Sequence, residues 1–393
     1  MNPRYISAVD DGFVPARLTI ARQSRGLKQK DLAATLGGSP SLISKWESGD
    51  YSHAPDQAQI AAIASALSVK PGWFYKSMKA RSEQATFFRS LKSALGVARD
   101  KTAAKLYFSY EIFSQLSERI EFPTVDIPDL VGNRDFRTVT SDDIEGFANS
   151  LRDYWGIGDD PVVDLMLLIE NAGVAVTEAY VESAKLDGVS GWYSGQPVML
   201  LAKDKKGGVR RRFDAAHELG HLILHQSVTK EDLQNNLTLI EEQAMAFAGA
   251  FLMPASSFSS AISGTTLDDL ADIKLRWGTS VGAMIKRLRS LNLISDDHER
   301  NLWKYYSYRK WRGNEPYDER ISIESPINIT SAIEMILEDG ISEVESFMID
   351  LGLEPGDISD LTGIESYRLC PPERKKPKLK LVASNKDRCA AND

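Results

Sequence analysis

Cysteine and histidine are scarce in this 393-residue sequence, with two of the first and five of the second. The cysteines, Cys370 and Cys389, both lie near the C-terminal end, and no Cys-x-x-Cys pair or Cys/His cluster accompanies them. That excludes a structural zinc finger and a disulfide-stapled scaffold, and the two residues read as reduced thiols. No run of about 18 apolar residues occurs, so no segment is expected to span a membrane. The opening stretch, MNPRYISAVDDGFVPARL, holds no apolar core of the kind a secretory leader needs. A cytoplasmic location is the expectation.

What is present is an ordinary globular composition, 42% apolar and 26% charged. The length suggests two or three domains. A net charge of −8 argues against non-specific nucleic-acid binding by the whole chain, but the charge is unevenly spread. Over residues 1–78, Arg4, Arg17, Arg22, Arg25, Lys28, Lys30, Lys45, Lys70 and Lys76 outnumber Asp10, Asp11, Asp31, Glu47, Asp50 and Asp56. A basic head on an acidic body suits a nucleic-acid contact confined to one end.

That head reads as four short helices. The first ends near Gly26, and KQKDLAATLG makes a second that stops at Gly37-Gly38. SPSLISKWESG makes a third, with Ser39 as N-cap, Pro40 in the first turn and Gly49 closing it. APDQAQIAAIASALSV makes the fourth. Short helices around a glycine turn are what a helix-turn-helix needs. The pattern Gln-x-x-Leu-Ala, Gly, then Ser-x-x-x-Ile-Ser-x-Trp-Glu-x-Gly resembles the Cro/C1-type (XRE) helix-turn-helix family over about 60 residues. The resemblance implies double-stranded DNA as partner, with Gln29 on a phosphate and Ser39, Ser41 and Lys45 on the groove-facing side of the third helix. Pro40 departs from the base-reading polar residue often found there. A palindromic site would call for a homodimer.

Helical spacing resumes at Phe87, Leu91 and Leu95, then at Leu106, Ile112, Leu116 and Ile120, and PTVDIPDLVGN follows as a connector. We expect residues 79–138 to form a helical linker or arm.

Three of the five histidines fall within RFDAAHELGHLILH, residues 212–225. On a helix, His217 and His221 at i and i+4 point the same way and can present two imidazoles to one ion. Glu218 lies close enough to contact a water on that ion. Two imidazoles make half a zinc site, and a catalytic zinc usually takes three protein ligands. His225 is two turns from His217 and is expected to be a buried polar or substrate-side group instead. The following helix, LTLIEEQAMAFAGAFLMP, places Glu241 on a small-residue face with Ala244 and Ala248, making Glu241 the expected third ligand. Gly220, costly in a helix by roughly 1 kcal/mol, is explained if a side chain there would crowd the metal-facing groove or a neighbouring strand.

RRRFDAAHELGHLILH followed by EEQAMAFAGAFLMP resembles the ImmA/IrrE family of zinc metallopeptidases, over roughly residues 140–310. DDIEGFANSLRDYWGIGDDPVVDLMLLIENAGVAV and GVSGWYSGQPVMLLAKD, the latter read as two strands, support the match. The resemblance implies a zincin-like fold, zinc on His217, His221 and Glu241, Glu218 as general base and a protein substrate, typically a helix-turn-helix repressor. Met245 stands where the family commonly has Asn. VSGWYS is expected to be an edge strand pairing with extended peptide, with Tyr193 a candidate for the oxyanion.

The expected architecture is therefore mainly α with a small β-sheet. It comprises a helix-turn-helix domain (1–78), the linker (79–138), a metallopeptidase domain (139–310), a helical C-terminal region (311–370) and a disordered basic tail (371–393). Two functions from different classes are open. One is a DNA-binding regulator whose zinc endopeptidase cuts a repressor in a stress, phage or mobile-element response. The other is a non-catalytic regulator whose peptidase-like domain senses a ligand or partner.

Overall fold

Local capping signals set the helices of the head, and the computed structural model bears them out. It describes residues 12–50, 54–78, 87–88, 96–181, 186–204 and 207–370; the expected basic tail and Cys389 lie outside these. Four helices come first: α1 (Pro15–Ser24), α2 (Gln29–Thr35), α3 (Pro40–Ser48) and α4 (Gln57–Leu67). Ser39 accepts the Leu42 N–H at 3.3 Å and Pro40 opens α3. Gly49, at φ 78°, ends it in the left-handed conformation that favours glycine. Leu18, Leu32, Ile43, Trp46, Ile60 and Ile63 form the buried centre.

Of the helical spacing expected in the arm, Phe87 falls in a strand instead, Leu91 and Leu95 lie outside the described residues, and the stretch from Leu106 is a core helix. In α5 (Gly96–Leu116), Leu106, Phe108, Tyr110, Ile112 and Leu116 are buried, and α5 packs against α1 and the sheet. A helix apolar on several sides has to be surrounded. Arg17 of α1, 1% exposed, donates to Glu111 of α5 at 3.1 Å.

Among the described residues the sheet has four strands, β1 (Phe87–Phe88), β2 (Ala175–Ala179), β3 (Gly188–Tyr193) and β4 (Gln196–Ala202), in the order β1-β3-β4-β2. β3 and β4 form an antiparallel hairpin through Ser194 and Gly195, both at positive φ as a tight hairpin turn requires. β2 lies parallel to β4. β3 was expected at an edge, yet Val189 and Ser190 pair with Phe88 and Phe87 of β1. Side chains alternate across a sheet. Val189, Tyr193, Val198 and Leu200 meet α5 and the head, while Met199 and Leu201 meet the helices on the opposite face.

On that opposite face lie α6 (Ser141–Tyr154), α7 (Leu165–Asn171), α8 (Gly208–Leu224) and α9 (Lys230–Leu252), followed by α10 (Ala255–Ala261), α11 (Leu267–Trp277), α12 (Val281–Ser290) and α13 (Asp296–Tyr308). α9 begins earlier than its apolar run, at a Thr229–Asp232 capping box, and breaks helical geometry at Asn236. Gly278 turns α11 into α12, whose cap is Ser280, and the Thr279 side chain is buried. In the aromatic stretch of α13 and beyond, Tyr306 packs against Trp303 and Trp311, while Tyr305 and Tyr308 are exposed.

The chain then returns. Glu315 accepts the Val281 and Gly282 N–H groups at the start of α12 and pairs with buried Lys274 at 2.7 Å. α14 (Asn328–Asp339), α15 (Ile341–Leu351) and α16 (Pro355–Thr362) bury Ile333, Phe347 and Ile358 in the same apolar cluster as the head and α5. Head and C-terminal helices thus share a core across 260 residues of intervening sequence, with the Lys70 N–H on the Gly352 carbonyl at 3.0 Å. No single described helix is long and apolar enough to cross a membrane.

Candidate metal centre

α8 carries His217, Glu218 and His221 because its apolar positions, Ala216, Leu219, Leu222 and Ile223, bury one side against the sheet and α9. Gly220 marks where the two helices cross. A Cβ there would stand 3.2 Å from the Ala244 carbonyl oxygen and from Phe247, so the crowding partner is α9, not a strand. Close approach of α9 brings Glu241 over the histidines.

Three side chains converge. The Nε2 atoms of His217 and His221 are 3.1 Å apart. Glu241 Oε2 lies 3.5 Å from His217 Nε2, and its Oε1 lies 3.5 Å from His221 Nε2. Zinc bonds of about 2.0–2.1 Å in a tetrahedron put neighbouring donors about 3.3 Å apart. The 3.1 Å separation is close to one edge of such a tetrahedron and Glu241 sets one oxygen 3.5 Å from each imidazole, so His217, His221 and Glu241 fit a divalent cation. Burial raises the Glu241 carboxyl, but the two imidazoles facing it reverse that and hold it at about 2.

Glu218, 1% exposed, is fixed from the sheet side. Ser190 Oγ donates to Glu218 Oε2 at 2.7 Å, and Gly188 on the same face leaves no room for a side chain, since a Cβ there would lie 2.9 Å from Glu218 Oε1. Residues 169–289 match the family model of the IrrE N-terminal-like domain, a peptidase family, and residues 18–74 match that of the helix-turn-helix. The chain joins a helix-turn-helix domain to an IrrE N-terminal-like domain. No curated protein matches the chain.

Within the IrrE N-terminal-like domain, the remaining expected residues fall differently. Tyr193 is not at the centre. It lies three positions along β3 from Ser190, hence on the other face, and stacks on Tyr110 of α5 at 5.1 Å between ring centroids. The oxyanion role assigned to it is withdrawn. His225 is fully buried behind His221, with its Nδ1 3.0 Å from His221 Nδ1 and its Nε2 3.0 Å from Gln243 Oε1. Burial pushes its imidazole down to about 3.

Two residues escaped the sequence reading. Ser190 shares the period-2 face of Gly188, and Gln243 follows Glu241 by two; neither spacing alone marks a site.

Beside the donors runs a groove. Two adjoining depressions of about 300 Å³ each share Phe213, Met245, Ala283 and Lys286. Phe213 precedes His217 by one turn and Met245 follows Glu241 by one turn, but neither depression is lined by a member of the donor set. Met245 lines the groove, and Gln243 supplies the polar contact behind the histidines. A larger cavity of about 540 Å³, lined by Val162, Arg212, Gly278 and Glu324, holds no member of the donor set.

In the helix-turn-helix domain, Ser39 and Ser41 are exposed and Lys45 is half-buried. Ser39 spends its hydroxyl as the α3 cap. Gln29 Nε2 donates to Glu47 Oε2 at 2.8 Å, and Arg22 grips the same carboxylate at 2.6 and 2.9 Å. This half-buried triad braces α1, α2 and α3.

Proposed function

We propose that this chain is a cytoplasmic DNA-binding regulator whose IrrE N-terminal-like domain is a zinc-dependent endopeptidase acting on a protein substrate, with a helix-turn-helix repressor as the substrate class. The observation that carries the reading is the donor triangle of His217, His221 and Glu241 with Glu218 held beside it by Ser190. Bound zinc lowers the pKa of its water towards about 7 and polarises a carbonyl. Glu218 is the residue that accepts the proton from the attacking water and delivers it to the leaving amine. The Ser190 hydroxyl fixes the Glu218 carboxylate for that transfer. Phe213, Met245 and Ala283 supply an apolar floor for an extended segment, and Lys286 a cation at its rim.

Residues 18–74 would bring the enzyme to DNA through α3, with Ser39, Ser41 and Lys45 towards the groove and Gln29 at a phosphate. Two copies would be needed on a palindromic site.

One observation favours a non-catalytic regulator. β3 pairs with β1 at Val189 and Ser190, the strand positions beside Glu218 where a peptide would add. Glu218→Gln separates the two readings. The variant is expected to keep fold and zinc and to lose cleavage of a helix-turn-helix repressor by 100-fold or more, the order of general-base contributions. A wild-type protein that binds zinc yet cleaves no faster than this variant would leave the regulator alone standing.

A further inference from the structure

Behind the donor triangle a line of hydrogen bonds runs out of the centre. His221 Nδ1 lies 3.0 Å from His225 Nδ1, and His225 Nε2 lies 3.0 Å from Gln243 Oε1. Gln243 Nε2 donates to the Phe136 carbonyl at 2.7 Å and to the Val139 carbonyl at 3.3 Å. His221 and His225 are fully buried and Gln243 nearly so.

Each link has one consistent assignment of hydrogens. Carbonyl oxygens only accept, so the amide nitrogen of Gln243 must face Phe136 and Val139, which turns its oxygen to His225. That oxygen also only accepts, so His225 carries its hydrogen on Nε2. A charged imidazole sealed from water between an amide and a second imidazole is strongly disfavoured, so His225 is neutral and its Nδ1 accepts. His221 then donates from Nδ1. Its Nε2 is the nitrogen directed at His217 Nε2 and Glu241.

We propose that Gln243 and His225 form a tautomer relay: two backbone carbonyls ahead of α6 orient Gln243, Gln243 fixes His225, and His225 presents His221 to a divalent cation through Nε2. His225 is thus a positioning residue, separated from the cation by His221. A ligating histidine is more often oriented by a carboxylate or a backbone carbonyl. A carboxylate in that place would add negative charge to a centre that already holds Glu241. A neutral imidazole orients the ligand and leaves the charge of the cation undiminished.

The inference rests on the zinc reading for its cation, but the relay can be tested in metal-free protein. In the full chain without metal, long-range proton–nitrogen spectra of the imidazoles are expected to show a proton on His221 Nδ1 and, in His225, a proton on Nε2 and none on Nδ1. A bare His221 Nδ1, or a proton on His225 Nδ1, in folded wild type would overturn the relay whatever the protein's activity. Zinc affinity by competition with a chelating dye is the second readout. His225→Phe removes the acceptor and is expected to weaken zinc binding 10- to 100-fold, in the range of second-sphere changes. His225→Asn places a carbonyl oxygen near the old Nδ1 and is expected to recover most of that loss. Gln243→Met frees His225 to change tautomer and is expected to fall between them. Equal affinity of a folded His225→Phe variant, or no recovery with Asn, would sink the proposal. Should the Phe variant fail to fold, the Gln243→Met affinity and the wild-type spectrum still decide it. A wild type that takes up zinc without cleaving peptide would remove the enzyme reading and leave the relay intact.

Discussion

Ser190 Oγ and Glu218 Oε2, 2.7 Å apart, tie β3 to the helix that bears both histidines. The strand therefore acts as a clamp on the carboxylate at the centre. Hydrogen bonds to a charged group are worth about 1.5–3 kcal/mol. If that bond holds Glu218 in its working position, Ser190→Ala should lower the cleavage rate about 10- to 100-fold. Zinc content should stay at one ion per chain. A full wild-type rate in steady-state cleavage assays would show that Glu218 does not depend on the clamp.

Removing metal should loosen the α8–α9 pair, because Glu241 and the two imidazoles then face one another with nothing between. Ligand binding to the native state alone stabilises by about 4 kcal/mol when free zinc is a thousandfold above its dissociation constant. Thermal scans with and without a chelator should show a clear drop in Tm on chelation. His221→Ala should abolish most of that zinc-dependent difference. An equal zinc response in His221→Ala would place the ion elsewhere.

Arg17 links the helix-turn-helix domain to α5. Its guanidinium donates to Glu111 at 3.1 Å and to the Lys76 and Ser77 carbonyls, and it lies 4.3 Å from the Trp73 ring centre. Breaking a buried pair by removing one partner costs about 3–5 kcal/mol. Arg17→Met leaves Glu111 buried without its cation and should lower unfolding free energy by that amount in urea titrations. The double variant with Glu111→Leu should recover much of the loss. A loss under 1 kcal/mol in the single variant would contradict a sealed junction.

On the DNA side, Lys45 is a cation that α3 would carry to the duplex, where it releases counterions and contributes about one unit to the salt slope of binding. Lys45→Ala should weaken binding to a mixed-sequence duplex at low salt and reduce that slope by about one. An unchanged slope in fluorescence anisotropy titrations would take α3 away from the backbone.

The features legible in the sequence are those built by neighbours. Ser39, Pro40 and Gly49 start and stop α3 through contacts within a few positions, and the i, i+4 step alone aligns His217 with His221. Small residues at Ala244 and Ala248 signal that α9 can approach α8, which brings Glu241 within reach. Beyond that distance local spacing has no say. Tyr193 looks available in a strand, but the alternation of the sheet and the seating of α5 turn it away from the centre. Nothing near Phe87 or Phe88 announces that they pair with β3.

The sequence by itself determined the helices, their caps and the pairing of imidazoles on one turn, because those depend on backbone periodicity and on hydrogen bonds that close within a turn. Only the tertiary structure decided that α5 is core, that the C-terminal helices return to the head, that Ser190 holds Glu218 and that Gln243 stands behind His225. These contacts join residues far apart along the chain. Burying an apolar face, or satisfying a buried polar atom, selects a partner from the whole molecule, and no local pattern encodes that selection.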